Sequence, residues 1–230
     1  MGLRTWLGLK KKRKPVERPL FYHENSYSQL QQDRWVLSEL SEKANGFFVE
    51  VGAFNGKDLS NTYLLEKEFE WRGILVEPNP ILSETIRAAR GVPLDTRPVD
   101  SVSGKKVLMR FVVDEPELSS MESNAYSDKH AESRRKESVE VEQTTVSLND
   151  LLAAHHAPTD IDYISIDTEG NELDILTAFN FKKYNVSLFS IEHNNTSAEN
   201  LIENLLIAEG YERVYREWSR FDAWFRKQQN

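Results

Sequence analysis

The sequence predicts an α/β protein: a doubly wound, mostly parallel sheet with helices on both faces. Short apolar segments rich in β-branched and aromatic residues alternate with segments of helical spacing along most of the chain. Four of those apolar segments close on an acid, and the chain ends in two strand-like runs separated by a short turn. At 230 residues the length fits one domain, or one domain with an insertion.

Residues 28–43 read as an opening helix, with Leu30, Leu37, Leu40 and Ala44 at near-helical spacing. Residues 47–51 are the first strand, 60–69 ("SNTYLLEKEF") a helix, and 73–77 ("GILVE") the second strand. Residues 81–90 form the next helix, with Pro80 suited to its first turn. Two further strand candidates follow at 106–113 and 139–146, the second alternating with period two. Between them, residues 114–138 are polar, almost without apolar side chains, and too long for an ordinary connection, which predicts a lid or substrate loop. The alternation then resumes: a helix in "SLNDLLAAH", a strand at 162–167, a helix in "NELDILTAF", and a strand at 186–194. A helix ended by Gly210 follows, and then "YERVYREW" and "DAWFRK" as an antiparallel edge pair.

Composition narrows the chemistry. There is no cysteine, which excludes disulfides, thiolate nucleophiles and Cys-ligated zinc. No apolar run approaches a membrane span, and no apolar segment is followed by a small-residue cleavage site, so a cytoplasmic protein is expected. The net charge is −8, yet the first 14 residues hold six basic residues and no acid. Residues 1–27 therefore read as a basic, flexible extension and 28–230 as the folded domain. An acidic body argues against nucleic acid as a partner. Residues 1–14, with Trp6 among the basic side chains, can be merely solvated or can contact an anionic membrane surface peripherally. Trp6 also stands where a myristoylation signal needs Ser or Thr.

In an open α/β sheet, ligands bind beyond the carboxyl ends of the strands. Here those ends carry Glu50 to Gly56, Glu77, Asp167 to Gly170, and Glu192 to Asn194. A buried strand has no use for a carboxylate unless it is paired or hydrogen-bonded, so four acids at one edge favour a site. Glu50 alone reads equally well as a capping or salt-bridged residue. The first loop, "VGAFNG", has Gly52 and Gly56 but Phe54 where a dinucleotide loop needs a glycine for close approach to pyrophosphate. That disfavours a nicotinamide dehydrogenase. An acid two residues before the first glycine suits a cationic ligand such as S-adenosylmethionine. Glu77, 27 positions later, is placed to take both hydroxyls of a ribose, with Asn79 orienting the nucleoside.

The runs "SQLQQDRWVL", "FFVEVGAFNGKDLSNTYLLEKEFEWRGILVEPNP" and "IDYISIDTEGNELDIL" resemble the FkbM-type family of S-adenosylmethionine-dependent methyltransferases over residues 28–194. The resemblance implies the class I methyltransferase fold, a Rossmann-like sheet of about seven strands ending in an antiparallel hairpin. It implies that Glu50, Gly52, Ala53 and Gly56 line the methionine part of the cofactor and Glu77 the ribose. Val99 and Asp100 would lie near the adenine, and Asp167 beside the transferring methyl. The family's "KIDVEG" is "SIDTEG" here, with Ser165 in place of a basic residue.

Methyl transfer needs an in-line nucleophile and a route for its proton. Asp167 and His193 are the catalytic candidates, His193 as a base of near-neutral pKa. Alternatively Asp167, Glu192 and Asn194 offer oxygens to a divalent metal such as Mg²⁺. "EHN" can also simply pack and cap the next helix. Glu169 and Gly170 read as shaping the turn into the following helix, and His155 and His156 as solvated. Ser119, Ser120, Tyr126, Arg134 and Arg135 in the polar segment are candidate acceptor contacts. The expectation is O-methylation of a hydroxyl on a sugar, glycolipid or related natural product. The alternative is a non-catalytic module that keeps the fold and docks on a membrane or partner through its tail.

Overall fold

A computed structural model describes residues 23, 25–112, 120–121 and 138–228 of the chain. Its centre is a seven-stranded sheet. In chain order the strands are β1 (Phe47–Val51), β2 (Arg72–Val76), β3 (Leu94–Asp95), β4 (Val99–Asp100), β5 (Lys106–Val112), β6 (Ser120–Met121), β7 (Ser138–Thr144), β8 (Val146–Ser147), β9 (Asp160–Ile166), β10 (Asn185–Glu192), β11 (Tyr211–Val214) and β12 (Asp222–Lys227). The helices are α1 (Gln32–Glu39), α2 (Tyr63–Phe69), α3 (Ser83–Ala89), α4 (Leu148–Ala154), α5 (Glu172–Ala178), α6 (Ala198–Ala208) and α7 (Arg216–Ser219). The main sheet runs β11-β12-β10-β9-β1-β2-β3, parallel throughout except for β12, which is antiparallel to both neighbours. This is the class I methyltransferase arrangement.

The alternation of each strand divides the core in two. Val49, Val51, Ile74, Val76, Ile164, Ile166, Phe189 and Ile191 face α4, α5 and α6, where Leu151, Leu152, Ile175, Leu176, Ile202 and Leu206 are buried. Phe48, Leu75, Tyr163, Leu188 and Trp224 face α1, α2 and α3, meeting Trp35, Val36, Leu37, Leu64, Leu65 and Ile86. Strands buried on both faces read as continuous apolar runs, and this is why the central ones were visible in the sequence.

The structure adds to or differs from the sequence expectation in four places. The strand candidates at β5 and β7 join β6 in a separate three-stranded antiparallel sheet, while β4 and β8 pair on their own. The seventh strand of the main sheet is instead β3, a two-residue element too short to show a period. "YERVYREW" leaves the strand after Val214, because Tyr215 takes a left-handed φ of 50° and starts α7. The opening helix begins only at Gln32, since residues 25–31 are wound around the buried carboxylate of Asp33. That carboxylate accepts from the Ser26 and Ser28 hydroxyls at 2.7 and 2.6 Å and from the Tyr27 N–H at 3.2 Å. His23 and Asn25 reach Glu68 at 2.7 Å each, so these residues of the N-terminal extension belong to the folded body. Residues 1–22 lie outside the described residues.

Helix α1 is held mainly by one side chain. Trp35 has no exposed surface, stacks on Trp224 with ring centroids 5.0 Å apart, and meets Tyr163 edge-on at 6.2 Å. Truncating it leaves a cavity against two rings that cannot collapse into it. Trp35→Ala should therefore cost about 3–5 kcal/mol, measured as a lower urea midpoint with an unchanged denaturant slope.

Candidate functional site

The carboxyl ends of β1, β2, β9 and β10 lie side by side, with Val51 opposite both Val76 and Ile166, and Ile166 opposite Ile191. The chain leaving β1 must turn tightly against β9. Gly52 does so with a φ of 88°, and a Cβ there would stand 2.0 Å from the backbone oxygen of Asp167. Gly52 and Ala53 both donate N–H to the Val76 carbonyl at 3.0 Å, which ties the turn to β2.

Glu50 is 2% exposed, and its carboxylate is already engaged. It accepts from the Asn61 N–H at 2.6 Å and from the Ser60 and Thr62 hydroxyls at 2.9 and 2.6 Å. The guanidinium of Arg90, with no exposed side-chain surface, stands 3.5 Å away. Arg90 also donates to the Gly56 carbonyl at 3.0 Å, to the Ser60 and Thr62 hydroxyls, and to Glu66 at 2.5 Å. Glu50 thus holds the 52–62 loop in shape. Its charge is faced by Arg90 and three of its lone-pair directions are taken by the loop.

Glu77 is better placed for a ligand. It is 7% exposed; one oxygen accepts from the Phe54 N–H at 3.0 Å and the other from the Asn79 N–H at 2.8 Å. A carboxylate offers about four lone-pair directions, so each oxygen keeps one for a further donor. Burial pushes its pKa up to about 7 against those two hydrogen bonds, and the charge of Asp167 adds to the rise. The bond to Glu77 also fixes Phe54 in its left-handed conformation, φ 46°. Asn79 turns its Oδ1 onto the Ile81 N–H at 3.1 Å, capping the turn before α3. Val99 is buried and its carbonyl accepts from the Asn171 amide at 3.0 Å. Asp100 is 4% exposed, accepts from the Ser101 N–H and pairs with Lys105 at 3.1 Å.

Beyond β9 and β10, one carboxylate oxygen from each of Asp167, Glu169 and Glu192 lies within 4.8 Å of the others. Burial, then the charges of Asp167, Glu169 and Glu172, push Glu192 well above the usual carboxylate range. Asp222, 5% exposed, is pushed to about 7 by burial and then by Asp167, against a 2.6 Å hydrogen bond from the Gln32 amide. Glu172 accepts from the Thr168 N–H and hydroxyl and from the Gly170 N–H, closing the loop that carries Glu169.

His193, the candidate base, is buried with its ring turned to its surroundings. Its Nδ1 accepts from the Asn195 N–H at 3.1 Å and its Nε2 lies 2.9 Å from the Asp222 carbonyl, which requires the Nε2–H tautomer. Both ring nitrogens are used by backbone groups, and burial lowers its pKa. Asn194 turns its Nδ2 to Glu169 Oε2 at 3.3 Å. Glu169, read as a turn former, supplies the third carboxylate instead. Ser165 is buried in a polar row on the sheet face, bonded to the Asn61 amide at 2.9 Å and to the Ser190 hydroxyl at 3.1 Å. His155 is partnered, with Nε2 3.0 Å from Asp95. Ser120 lies in β6 opposite Arg110, while Ser119, Tyr126, Arg134 and Arg135 lie outside the described residues. A groove of about 660 Å³, lined by Lys43, Phe47, Arg72, His155 and His156 among others, opens at the amino ends of the strands, away from these acids.

Sequence reasoning passed over Arg90 and Asp222. Arg90 looked like an ordinary helix-terminal cation. Asp222 had a legible signal: the first residue of an antiparallel last strand falls at the same edge as the last residues of its parallel neighbours, and Asp222 pairs with Glu192.

The model of the family described as "Methyltransferase FkbM domain" matches residues 50–225. No curated protein matches the chain. Among solved structures, a precorrin-6y C5,15-methyltransferase from Geobacter metallireducens is similar at a TM-score of 0.46 and 13% identity, over 89% of this chain and 92% of that one. A methyltransferase from Pyrococcus furiosus is similar at a TM-score of 0.42 and 14% identity, over 90% and 88%.

Removing Arg90 leaves the buried carboxylate of Glu50 without a cation, while Glu66 keeps Lys67. Arg90→Met should lower stability by about 3–5 kcal/mol, seen in chemical denaturation at pH 7. Asp222 titrates in the opposite sense to a salt-bridged acid. Its folded pKa is raised from 3.8 to about 7, so the folded state holds the proton more tightly. Its favourable contribution is complete below pH 3.8 and is lost as pH rises through 7. In unfolding curves between pH 4 and pH 8, Asp222→Asn should lose less stability than wild type, by on the order of 2 kcal/mol.

Proposed function

The chain belongs to the FkbM methyltransferase domain family, and we propose that it transfers the methyl group of S-adenosylmethionine to a hydroxyl of a sugar, glycolipid or related natural product. Methyl transfer and its donor follow from the family; the hydroxyl acceptor is the proposed part. The observation that carries it is the strand-end edge itself. Glu77 there keeps lone pairs for a diol, and Asp167, Glu169 and Glu192 crowd beyond the neighbouring strands.

The residues fit the donor. Glu77 accepts the two ribose hydroxyls while its backbone bonds to Phe54 and Asn79 keep it in place. The backbone of Gly52, Ala53 and Gly56 forms the wall toward the methionine part, and the missing Cβ at Gly52 lets that wall close on Asp167. Val99 and Asp100 bound the side where the adenine belongs. Bound S-adenosylmethionine supplies an electrophilic methyl on a sulfonium.

Asp167 accepts a hydrogen bond from the acceptor hydroxyl and orients its oxygen toward that methyl. With the donor bound, the carbon–oxygen bond would form as the carbon–sulfur bond broke to leave a neutral thioether, and the carboxylates at the edge would take the hydroxyl proton. Carboxylates that face one another hold such a proton well, because each disfavours ionisation of the other.

No described helix is long and apolar enough to cross a membrane. Contact between residues 1–14 and an anionic membrane surface belongs to the proposal, and deletion of those residues should abolish binding to phosphatidylserine vesicles while leaving turnover on a soluble acceptor.

Glu77 accepts both hydroxyls only when ionised. Affinity for S-adenosylhomocysteine should therefore rise between pH 6 and pH 8, by up to about tenfold for a group of pKa near 7. Glu77→Gln should bind more weakly and with a flat pH profile in isothermal titration. Absence of any binding by the wild type would overturn the reading. Binding without turnover on any hydroxyl acceptor would favour a non-catalytic module.

A further inference from the structure

We propose that Asp167, Glu169 and Glu192 hold a divalent cation of the Mg²⁺ or Mn²⁺ class, from which it binds the acceptor's hydroxyl oxygen. The use of the cation rests on the methyltransferase reading; its binding does not.

The spacing is the first observation. Oxygens sharing one such cation at about 2.1 Å stand roughly 3 to 4 Å apart. The three carboxylate oxygens already lie within 4.8 Å of one another, so side-chain torsions alone can close the set. The second is independent of spacing. Oε2 of Glu192 has essentially no accessible surface and no hydrogen-bond partner, in a residue only 8% exposed. Buried polar atoms are nearly always hydrogen-bonded, and this carboxyl group, whose nearest side-chain neighbour is the like-charged Asp167, calls for positive charge between the two, which a cation supplies and a shared proton supplies in its absence.

The donors select the cation. All three are carboxylate oxygens, and the one histidine nearby, His193, has both nitrogens turned to backbone groups. An all-oxygen set suits a hard cation that keeps several waters, not zinc or copper. Asn194 donates to Glu169 Oε2 and so fixes the rotamer of a ligand from outside, in the manner of outer-shell groups at known metal sites. Asp167 and Glu192 follow directly from paired positions on β9 and β10, and Gly52 packs against the Asp167 carbonyl. With the cation bound, a hydroxyl replacing one of its waters would lose its proton more readily, to solvent water in place of the ligating carboxylates, and this would assist attack on the methyl.

The test titrates the full chain with MnCl₂ alone, by calorimetry and by the loss of the free-ion electron-spin signal, and separately with S-adenosylhomocysteine. The expected result is one saturable Mn²⁺ site displaced by Mg²⁺, weakened at least tenfold in Glu192→Gln and in Glu169→Gln, with S-adenosylhomocysteine still bound by both variants. Retained binding of that nucleoside shows that the variants are folded. No saturable Mn²⁺ binding at millimolar concentration, in wild type that binds S-adenosylhomocysteine, overturns the cation site and leaves the methyltransferase reading intact. Mn²⁺ binding undiminished in both variants also overturns it. Mn²⁺ binding without any S-adenosylhomocysteine binding overturns the function and leaves the cation site standing.

Discussion

The guanidinium of Arg90 is the constraint on which the first loop depends. It has no exposed side-chain surface, stands between the carboxylates of Glu50 and Glu66, and donates to the carbonyl of Gly56 and to two hydroxyls of the same loop. A buried cation is tolerated only when its donors are matched, and this one links the end of β1, the loop, the start of α2 and the end of α3. The loop in turn presents the Phe54 N–H to Glu77 and brings Gly52 against β9. The backbone of this loop is thus positioned by side chains that lie behind it.

The other side of the edge follows the opposite logic. Glu77, Glu192 and Asp222 are buried acids whose ionisation is opposed by burial and by Asp167. Such an arrangement lowers the stability of the ionised protein and would be expected to disappear unless the charges were used. Catalytic edges are where folds accept that cost. The division of labour is physical: Glu50 takes three hydrogen bonds beside a buried cation, Glu77 takes two, and Glu192 has an oxygen with no donor.

The sheet was legible because its strands are short apolar runs punctuated by turns, and the helices because their apolar faces recur at helical spacing. Elements without a period were missed or misassigned. β3 is only two residues long, and β5 and β7 alternate like strands of any sheet, so nothing local says which sheet they join. The tight turn after Val214 depends on Tyr215 adopting a left-handed conformation that its residue type does not signal.

By itself the sequence determined the fold class and the presence of acids at the strand ends, because periodicity and the position of a residue after a strand are local properties. Only the tertiary structure decided what each acid does. A carboxylate's role depends on which donors reach it across space: Arg90 reaches Glu50 from 40 positions away, Gln32 reaches Asp222 from 190, and His193 is held by the Asp222 carbonyl rather than facing the site. Those partners are set by packing, which no window of sequence contains.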